Sequence, residues 1–164
     1  MDSMTVPEAQ QVERFPMPPA GQDFTVLHRH LTVLRPLLTG WTFHPSDEEG
    51  SRPGVSFAFG AGFTGKVALE DDAYLAEVYT GACPMDADAL RIMLRHKPGW
   101  RWMTRGVIAG DRVFIYLNVR HARTDGLEDL KEVILSGIEM AHYERGELNG
   151  WWNRTRWAQG ETQA

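Results

Sequence analysis

The stretch FGAGFTGKVALE, residues 59–70, decides between two fold classes. Gly60, Gly65 and Lys66 stand at the spacing G-x-x-x-x-G-K, which lacks only the final Ser or Thr of a phosphate-binding P-loop. A working P-loop needs that hydroxyl for magnesium and a helix that begins at the lysine. Here Val67 follows, and the next residues alternate as in a strand. We therefore predict an antiparallel hairpin with a glycine-rich turn, and no nucleotide site.

The sequence on both sides of this turn continues the strand pattern. GVSFAFG, residues 54–60, and GFTGKVALE, residues 62–70, place an apolar side chain at every second position, which is typical of half-buried antiparallel strands. The Asp71-Asp72 pair predicts a turn, and AYLAEVY, residues 73–79, follows as a third strand. The same segment is also compatible with a helix.

Three further segments have helical signals. In DFTVLHRHLTVLRPLLTG, residues 23–40, one apolar stripe runs along a helix that Pro36 ends near Arg35. Asp86 caps a short helix, and a longer one begins after Thr124 or Asp125. The stripe of the first helix is Phe24, Leu27, Leu31, Leu34 and Leu38, and that of the last is Leu127, Leu130, Ile134, Ile138 and Ala141.

The segments WRWMTRGVIA and RVFIYLNVR flank Gly110-Asp111 and predict a second hairpin. The complete order is α-β-β-β-α-β-β-α, which indicates a single α+β domain with an antiparallel sheet. We assign residues 1–20 to a flexible N-terminal arm, 21–150 to the domain and 151–164 to an Arg/Trp-rich tail.

The composition is ordinary for a soluble globular protein, and we expect a bacterial-type cytoplasm as its compartment. Of 164 residues, 43% are hydrophobic, and no apolar run approaches the roughly 20 residues that span a bilayer. The N-terminus lacks the apolar segment of a secretion signal. The single Cys83 excludes an internal disulfide.

The charge is unevenly distributed along the chain. Residues 1–90 hold 5 basic and 13 acidic side chains, whereas residues 91–164 hold 12 and 9. Between residues 91 and 123, eight basic residues accompany one acid, Asp111. This asymmetry predicts a surface for a partner.

Tryptophan and arginine occur together in two places, and both residue types are frequent in binding hot spots. The alternative is that the tryptophans lie in the core and the arginines on a solvated face. The partner-binding candidates are Arg95, Lys97, Trp100, Arg101, Trp102, Arg105, Trp151, Trp152, Arg154, Arg156 and Trp157.

No residue set predicts catalysis, a cofactor or a metal. Glu139 and His142 have the spacing of a di-iron ligand pair, but such sites need a second copy and further carboxylates. Cys83 precedes a helix, which lowers a thiol pKa, although a lone cysteine there is more often a small half-buried apolar residue. We therefore expect that the protein is not an enzyme.

The order of elements resembles that of the YbjN-like proteins and of the type III secretion chaperones, whose fold they share. The resemblance includes the first helix ending near GWTF (40–43), the helix opening at MDADAL (85–90), the basic hairpin and the last helix from Leu127. It covers residues 22–146 and implies a small, acidic, cytoplasmic dimer that holds extended segments of other proteins. The N-terminal arm and the Arg/Trp tail depart from the family pattern.

Two functions from different classes follow. The first is a non-enzymatic protein-binding dimer, chaperone-like or regulatory, whose partner carries an acidic segment and is expected among proteins that handle DNA. The alternative is direct binding of single-stranded nucleic acid, which the net charge of −5 opposes. Apolar residues outside the main helical stripes predict the dimer interface. They are Val26, Val33, Leu37, Val133, Leu135 and Met140.

Overall fold

The computed structural model describes residues 14–45, 52–60, 62–94, 102–123 and 127–158, without the side chains of residues 22, 127–129 and 156–158. Its elements in chain order are α1 (Gln22–Leu34), a 3-10 turn (Arg35–Leu37), β1 (Gly40–His44), β2 (Gly54–Ala58), β3 (Thr64–Leu69), β4 (Ala73–Pro84), α2 (Ala87–Leu94), β5 (Met103–Ala109), β6 (Arg112–Ala122) and α3 (Leu127–Ala158).

The six strands form one antiparallel sheet in the order β1-β2-β3-β4-β6-β5. This confirms the α+β class and the predicted order of elements, with one strand more than predicted. The additional strand is β1, which pairs with β2 so that Trp41 lies opposite Phe57. The sequence analysis placed GWTF at the end of the first helix, because a five-residue edge strand owes its conformation mainly to its neighbour.

The glycine-rich stretch forms the predicted hairpin between β2 and β3. Phe57 lies opposite Gly65 and Ser56 opposite Lys66, so the lysine lies within a strand and not at the start of a helix. Gly62 has φ 73°, a left-handed conformation that glycine adopts without strain. A P-loop requires a helix that begins at the lysine, and Lys66 instead lies within β3.

The segment AYLAEVY is a strand, which settles the alternative that the sequence left open. It belongs to the twelve-residue β4, in which Ala76, Val78 and Thr80 are buried and the residues between them are half-buried. The predicted turn at Asp71-Asp72 precedes it, where the Glu70 amide donates to the Ala73 carbonyl at 2.9 Å. Burial at every second residue is the expected outcome for a strand with one covered face.

The chain divides into two compact units, of which the first comprises Met1–Ala76 and Arg120–Leu135. All five residues of the predicted α1 stripe are buried, and α1 ends at Leu34, two residues before Pro36. Phe24 contacts the Phe43 ring of β1 at a centroid distance of 6.0 Å. The apolar stripe that the sequence predicted on the first helix is therefore part of the buried core of this unit.

Residues 14–20, which were predicted to belong to a flexible arm, are packed against β1 within the first unit. The Trp41 indole N–H donates to the Pro16 carbonyl at 2.9 Å, and the Phe15 ring lies 4.7 Å from the Trp41 ring, edge to face. The Arg35 guanidinium lies over the Phe15 ring, 4.5 Å from the ring centroid. The rest of the predicted arm, residues 1–13, lies outside the described residues.

The second unit comprises Glu77–Val119 and Ser136–Ala164. As predicted, Asp86 caps α2, since its carboxylate accepts from the amides of Asp88 and Ala89 at 2.9 and 3.1 Å. The second hairpin also forms as predicted, between β5 and β6. The buried core of this unit consists of Cys83, Ala89, Met93, Val113, Ile115, Leu148 and Trp151.

Helix α3 has 32 residues and continues through the segment that the sequence analysis assigned to a tail, as far as Ala158. The boundary assigned between the domain and the tail lies after Gly150, and glycine is a frequent stop signal for helices. Leu148 and Trp151 nevertheless continue the buried face after Ala141, and their burial compensates for the poor helix propensity of glycine. None of the described helices is both long enough and apolar enough to cross a membrane.

Candidate interaction surface

Strand β5 is the last strand of the sheet, and within the described residues only β6 pairs with it. The backbone groups on its other side therefore face away from the sheet. Met103 is 75% exposed, Ile108 68% and Val107 38%, so apolar side chains of both strand faces are open along this edge. Natural sheets rarely leave such an edge uncovered, because it pairs readily with another chain.

The features that commonly protect an edge strand are missing from β5. The seven residues MTRGVIA contain neither proline nor lysine. Their one charge, Arg105, forms an ion pair with Glu77 at 2.6 Å and lies 5.1 Å from the Tyr116 ring centroid. Because Arg105 is held on the sheet by these contacts, it is not directed along the edge to repel another strand.

Leu94, at the end of α2, extends this apolar surface. It is 42% exposed, and a Cβ at Gly106 would lie 3.7 Å from its Cδ2 atom, which places Leu94 beside β5. Leu94, Met103, Val107 and Ile108 are called the β5 edge patch below. An exposed apolar cluster of this kind is typical of an interaction site.

Three aromatic rings lie next to one another on the sheet face beside the edge patch. Tyr79 of β4 is 6.2 Å from Phe114 and 5.3 Å from Tyr116, both of β6, between ring centroids. Burial raises the pKa of the Tyr79 hydroxyl, and the nearby Arg145 opposes that shift. Tyr79 therefore stays neutral and offers an uncharged, partly open aromatic surface.

A groove of about 390 Å³ lies between α2 and the end of α3. Ile92 and Trp151 form its apolar part, and Arg91 and Arg154 its basic part. Arg91 is bonded to Asp88 at 3.3 Å, with both side chains more than two-thirds exposed. The remaining lining residue is Thr155. The groove is shallow and open to solvent, and its lining combines an apolar floor with two guanidinium groups and the Asp88 carboxylate.

The structure corrects two of the tryptophan assignments. Trp102 is 5% exposed, and its indole N–H donates to the Ser136 hydroxyl at 3.0 Å, so it belongs to the interior. Trp151 is 8% exposed and belongs to the core of the second unit, with one edge at the groove. Trp152 is 48% exposed. A position in the sequence does not reveal which of two adjacent helical residues faces the core.

The other partner-binding candidates are dispersed. Arg105 lies at the edge strand and Arg154 at the groove. Arg95, Lys97, Trp100 and Arg101 lie outside the described residues, as do the side chains of Arg156 and Trp157.

Part of the uneven charge is balanced by ion pairs among the described residues. Three of the basic residues between 91 and 123 pair with acids from the first half of the chain, because the fold brings these distant segments together. These pairs are Arg105–Glu77 at 2.6 Å, Arg120–Asp72 at 2.7 Å and Arg123–Asp23 at 2.9 Å. The bond from Arg120 holds the pKa of Asp72 below its usual value. The charge asymmetry therefore carries less weight as a partner signal than the sequence suggested.

The residues predicted for a dimer interface separate into exposed and buried ones. Val33 and Leu37 of the first unit are 59% and 49% exposed, and Val26 is half-buried. Val133 is only 2% exposed, which corrects its assignment, because it contributes to the core instead. Leu135 and Met140 are half-buried.

The groups considered for catalysis and metal binding do not form a site. Cys83 is buried, and its burial, together with the nearby Asp86, raises the pKa of the thiol. This corrects the idea of a lowered thiol pKa and supports the apolar alternative. Glu139 and His142 lie on the exposed side of α3. Within the described ranges, no three His, Cys, Asp or Glu side chains come together as a metal site would require.

No protein-family model, curated protein or solved structure matches the chain. The resemblance to YbjN-like proteins therefore stays a prediction. Arg105, Trp151 and Arg154 were predicted from the sequence as binding residues, whereas the apolar residues of the edge patch were not. The segment WRWMTRGVIA, which contains Met103, Val107 and Ile108, predicted a strand. Only the strand order shows that this strand lies at the edge of the sheet.

Proposed function

We propose that this chain is a protein-binding module that holds an extended segment of a partner protein along the free edge of β5. The observation that carries the proposal is the edge patch: a seven-residue edge strand with open apolar side chains on both faces and no protecting lysine or proline. A segment added as a further strand would bury these side chains and satisfy the outward backbone groups.

When a partner segment binds as an added strand, its affinity and its specificity come from different chemical groups. Backbone hydrogen bonds supply affinity without regard to sequence, and the spaces around alternate side chains select the residues of the partner. On one face, Met103 and Val107 flank Arg105, so those spaces lie beside the two apolar side chains and not between them. On the other face they lie beside Ile108 and Leu94. A partner segment with apolar residues at alternate positions would match one face, and a segment with consecutive apolar residues would match both.

The proposal includes the chaperone-like or regulatory role, with a homodimer as the working form. The exposed Val33 and Leu37 supply an apolar surface for a second copy, separate in sequence from the edge patch. Proteins that handle DNA are the class of partner proposed from the sequence, since many of them carry acidic segments. The protein performs no reaction in this proposal.

Direct binding of single-stranded nucleic acid is a second candidate, and the aromatic sheet face favours it. Tyr79, Phe114 and Tyr116 form an aromatic cluster, although Arg105 lies over the Tyr116 ring and Arg145 over the Tyr79 ring. The exposed Arg112 lies close enough to influence Tyr79. Bases stack on such rings in many single-strand binders. Glu77 on the same face and the net charge of −5 oppose it, because both repel phosphate.

Capture from the native cell tests the first candidate with Ile108→Lys and the matched control Thr64→Lys. Thr64 is exposed on a different strand, so both variants add one lysine to a strand surface. We expect wild type and Thr64→Lys to recover the same partner and Ile108→Lys to lose it, with unchanged melting temperatures. Equal recovery by all three proteins would contradict the assignment of the β5 edge.

A labelled twenty-nucleotide oligothymidine separates the two candidates. We expect no saturable binding of the oligothymidine at physiological salt, because the net negative charge of the protein repels the phosphate backbone of the nucleic acid. Micromolar binding that weakens steeply with salt and is lost in Tyr116→Ala would establish the second candidate in place of the first.

A further inference from the structure

The groove between α2 and the end of α3 has a chemistry that neither the edge patch nor the sheet face shares. Its floor is apolar, from Ile92 and Trp151, and its rim carries Arg91 and Arg154. We propose that it binds an acidic peptide segment that inserts one large apolar side chain between the two arginines. This inference rests on the proposed function, because it gives the chemistry of the partner at a second site.

Arg154 supplies the uncompensated positive charge. It is exposed, and among the described residues no carboxylate lies within ion-pair distance of it. A Cβ at Gly150 would lie 3.2 Å from its Nη1 atom, so the guanidinium lies close to the helix surface at the groove. A guanidinium can bind a carboxylate by donating two parallel hydrogen bonds to it.

Arg91 supplies a second charge on the opposite wall. Its pair with Asp88 is long, at 3.3 Å, and both side chains are strongly exposed, at 78% and 71%. Exposed pairs of this kind contribute little to stability. A carboxylate from the partner can therefore replace Asp88 as the partner of Arg91. Because Asp88 also lines the groove, the preference for an acidic ligand over a basic one rests on Arg154.

The apolar floor is fixed before any ligand binds. Trp151 is packed into the core of the second unit, and the exposed Trp152 lies beside it with ring centroids 6.0 Å apart. Ile92 completes this surface from α2. A preformed apolar floor adds affinity for one inserted side chain without the cost of ordering the site.

The test uses the peptide Glu-Asp-Glu-Phe-Glu-Asp-Glu with a fluorescent label, and fluorescence anisotropy as the readout. We expect saturable binding to the full chain, weakened tenfold or more in Arg154→Glu and unchanged in Arg112→Glu. Arg112 is exposed and has the same charge, but it does not line the groove, so it controls for net charge. Serine in place of the phenylalanine should also weaken binding.

The outcomes separate this inference from the proposed function. Peptide binding that is lost in Arg154→Glu but retained in Ile108→Lys supports the groove as an independent site. No saturable binding up to millimolar peptide, or equal binding by wild type and Arg154→Glu, overturns the inference and leaves capture at the β5 edge unaffected. Circular dichroism and the melting temperature of Arg154→Glu verify that the variant is folded.

Discussion

At the scale of single residues, Gly137 and Trp102 show how closely α3 packs. A Cβ at Gly137 would lie 2.5 Å from Cζ2 of Trp102 and 3.1 Å from Cγ2 of Val78, so no larger residue fits without a shift. The preceding residue, Ser136, accepts the hydrogen bond from the Trp102 indole. The contact joins positions 34 residues apart, which explains why the sequence did not reveal that Trp102 is buried.

Gly137→Ala tests this close packing, with Gly146→Ala as the matched control on the same helix. We expect Gly137→Ala to lower the free energy of unfolding by about 1–3 kcal/mol, because the added methyl group displaces the Trp102 ring. Nothing lies within 4 Å of a Cβ at Gly146, so that variant should gain up to about 1 kcal/mol from helix propensity. Urea unfolding measures both. Equal effects would mean that the Trp102 contact is absent.

Cys83 should behave as a buried apolar residue. We expect a thiol reagent to label the native protein far more slowly than the urea-unfolded protein, since the thiol is 1% exposed and its burial disfavours the thiolate. A native labelling rate close to the unfolded rate would contradict this.

The raised pKa of Cys83 also predicts the sign of a pH effect. A thiol whose pKa is higher in the folded state than its ordinary value of 9.0 stabilises the fold below that value, and this contribution is lost as the pH rises. The stability advantage of wild type over Cys83→Ala should therefore shrink above pH 9. A constant difference between pH 7 and pH 10 would show that the thiol is not desolvated.

At the scale of elements, the sequence was most informative where a regular apolar period coincided with clear end signals. The α1 stripe, the Pro36 stop, the Asp86 cap and both hairpins were all predictable, because each follows from local chemistry. Strand β1 and the extension of α3 were not. Both depend on burial against residues that are distant in the chain, and in α3 that burial overrides the local stop signal at Gly150.

Truncation tests whether the end of α3 is part of the folded core. A chain that ends at residue 145 lacks Leu148 and Trp151, and the loss of a buried tryptophan alone costs about 3–5 kcal/mol. We therefore expect strong destabilisation in urea. A chain that ends at Ala158 keeps both side chains and should unfold as the full chain does. If the two truncations are equally stable, residues 146–158 form an independent tail.

At the scale of the whole molecule, the sequence predicted the fold class but only parts of the interaction surfaces. The strand order places β6 beside β4, and at the end of these strands Arg120 pairs with Asp72, so part of the charge that indicated a partner is balanced within the described residues. The edge patch became visible only with that same order. Alternation predicts a strand, but it does not tell a central strand from an edge.

The expected homodimer is a further prediction at this scale. Light scattering at micromolar concentration should give about twice 18.6 kDa, and Val33→Glu should give a folded monomer, because Val33 is 59% exposed. Val133→Glu is the contrasting variant, since it places a charge in the core and should unfold the chain. A wild-type monomer would contradict the dimer, and a dimeric Val33→Glu would exclude this face.

The most direct test of the central claim is hydrogen exchange of β5 with and without the captured partner. Strand addition makes new backbone hydrogen bonds on the free side of the edge strand. The account predicts that amides within residues 103–109 exchange more slowly in the complex, whereas those of β1, the opposite edge of the sheet, do not change. A partner that binds while exchange in residues 103–109 stays the same would contradict the account.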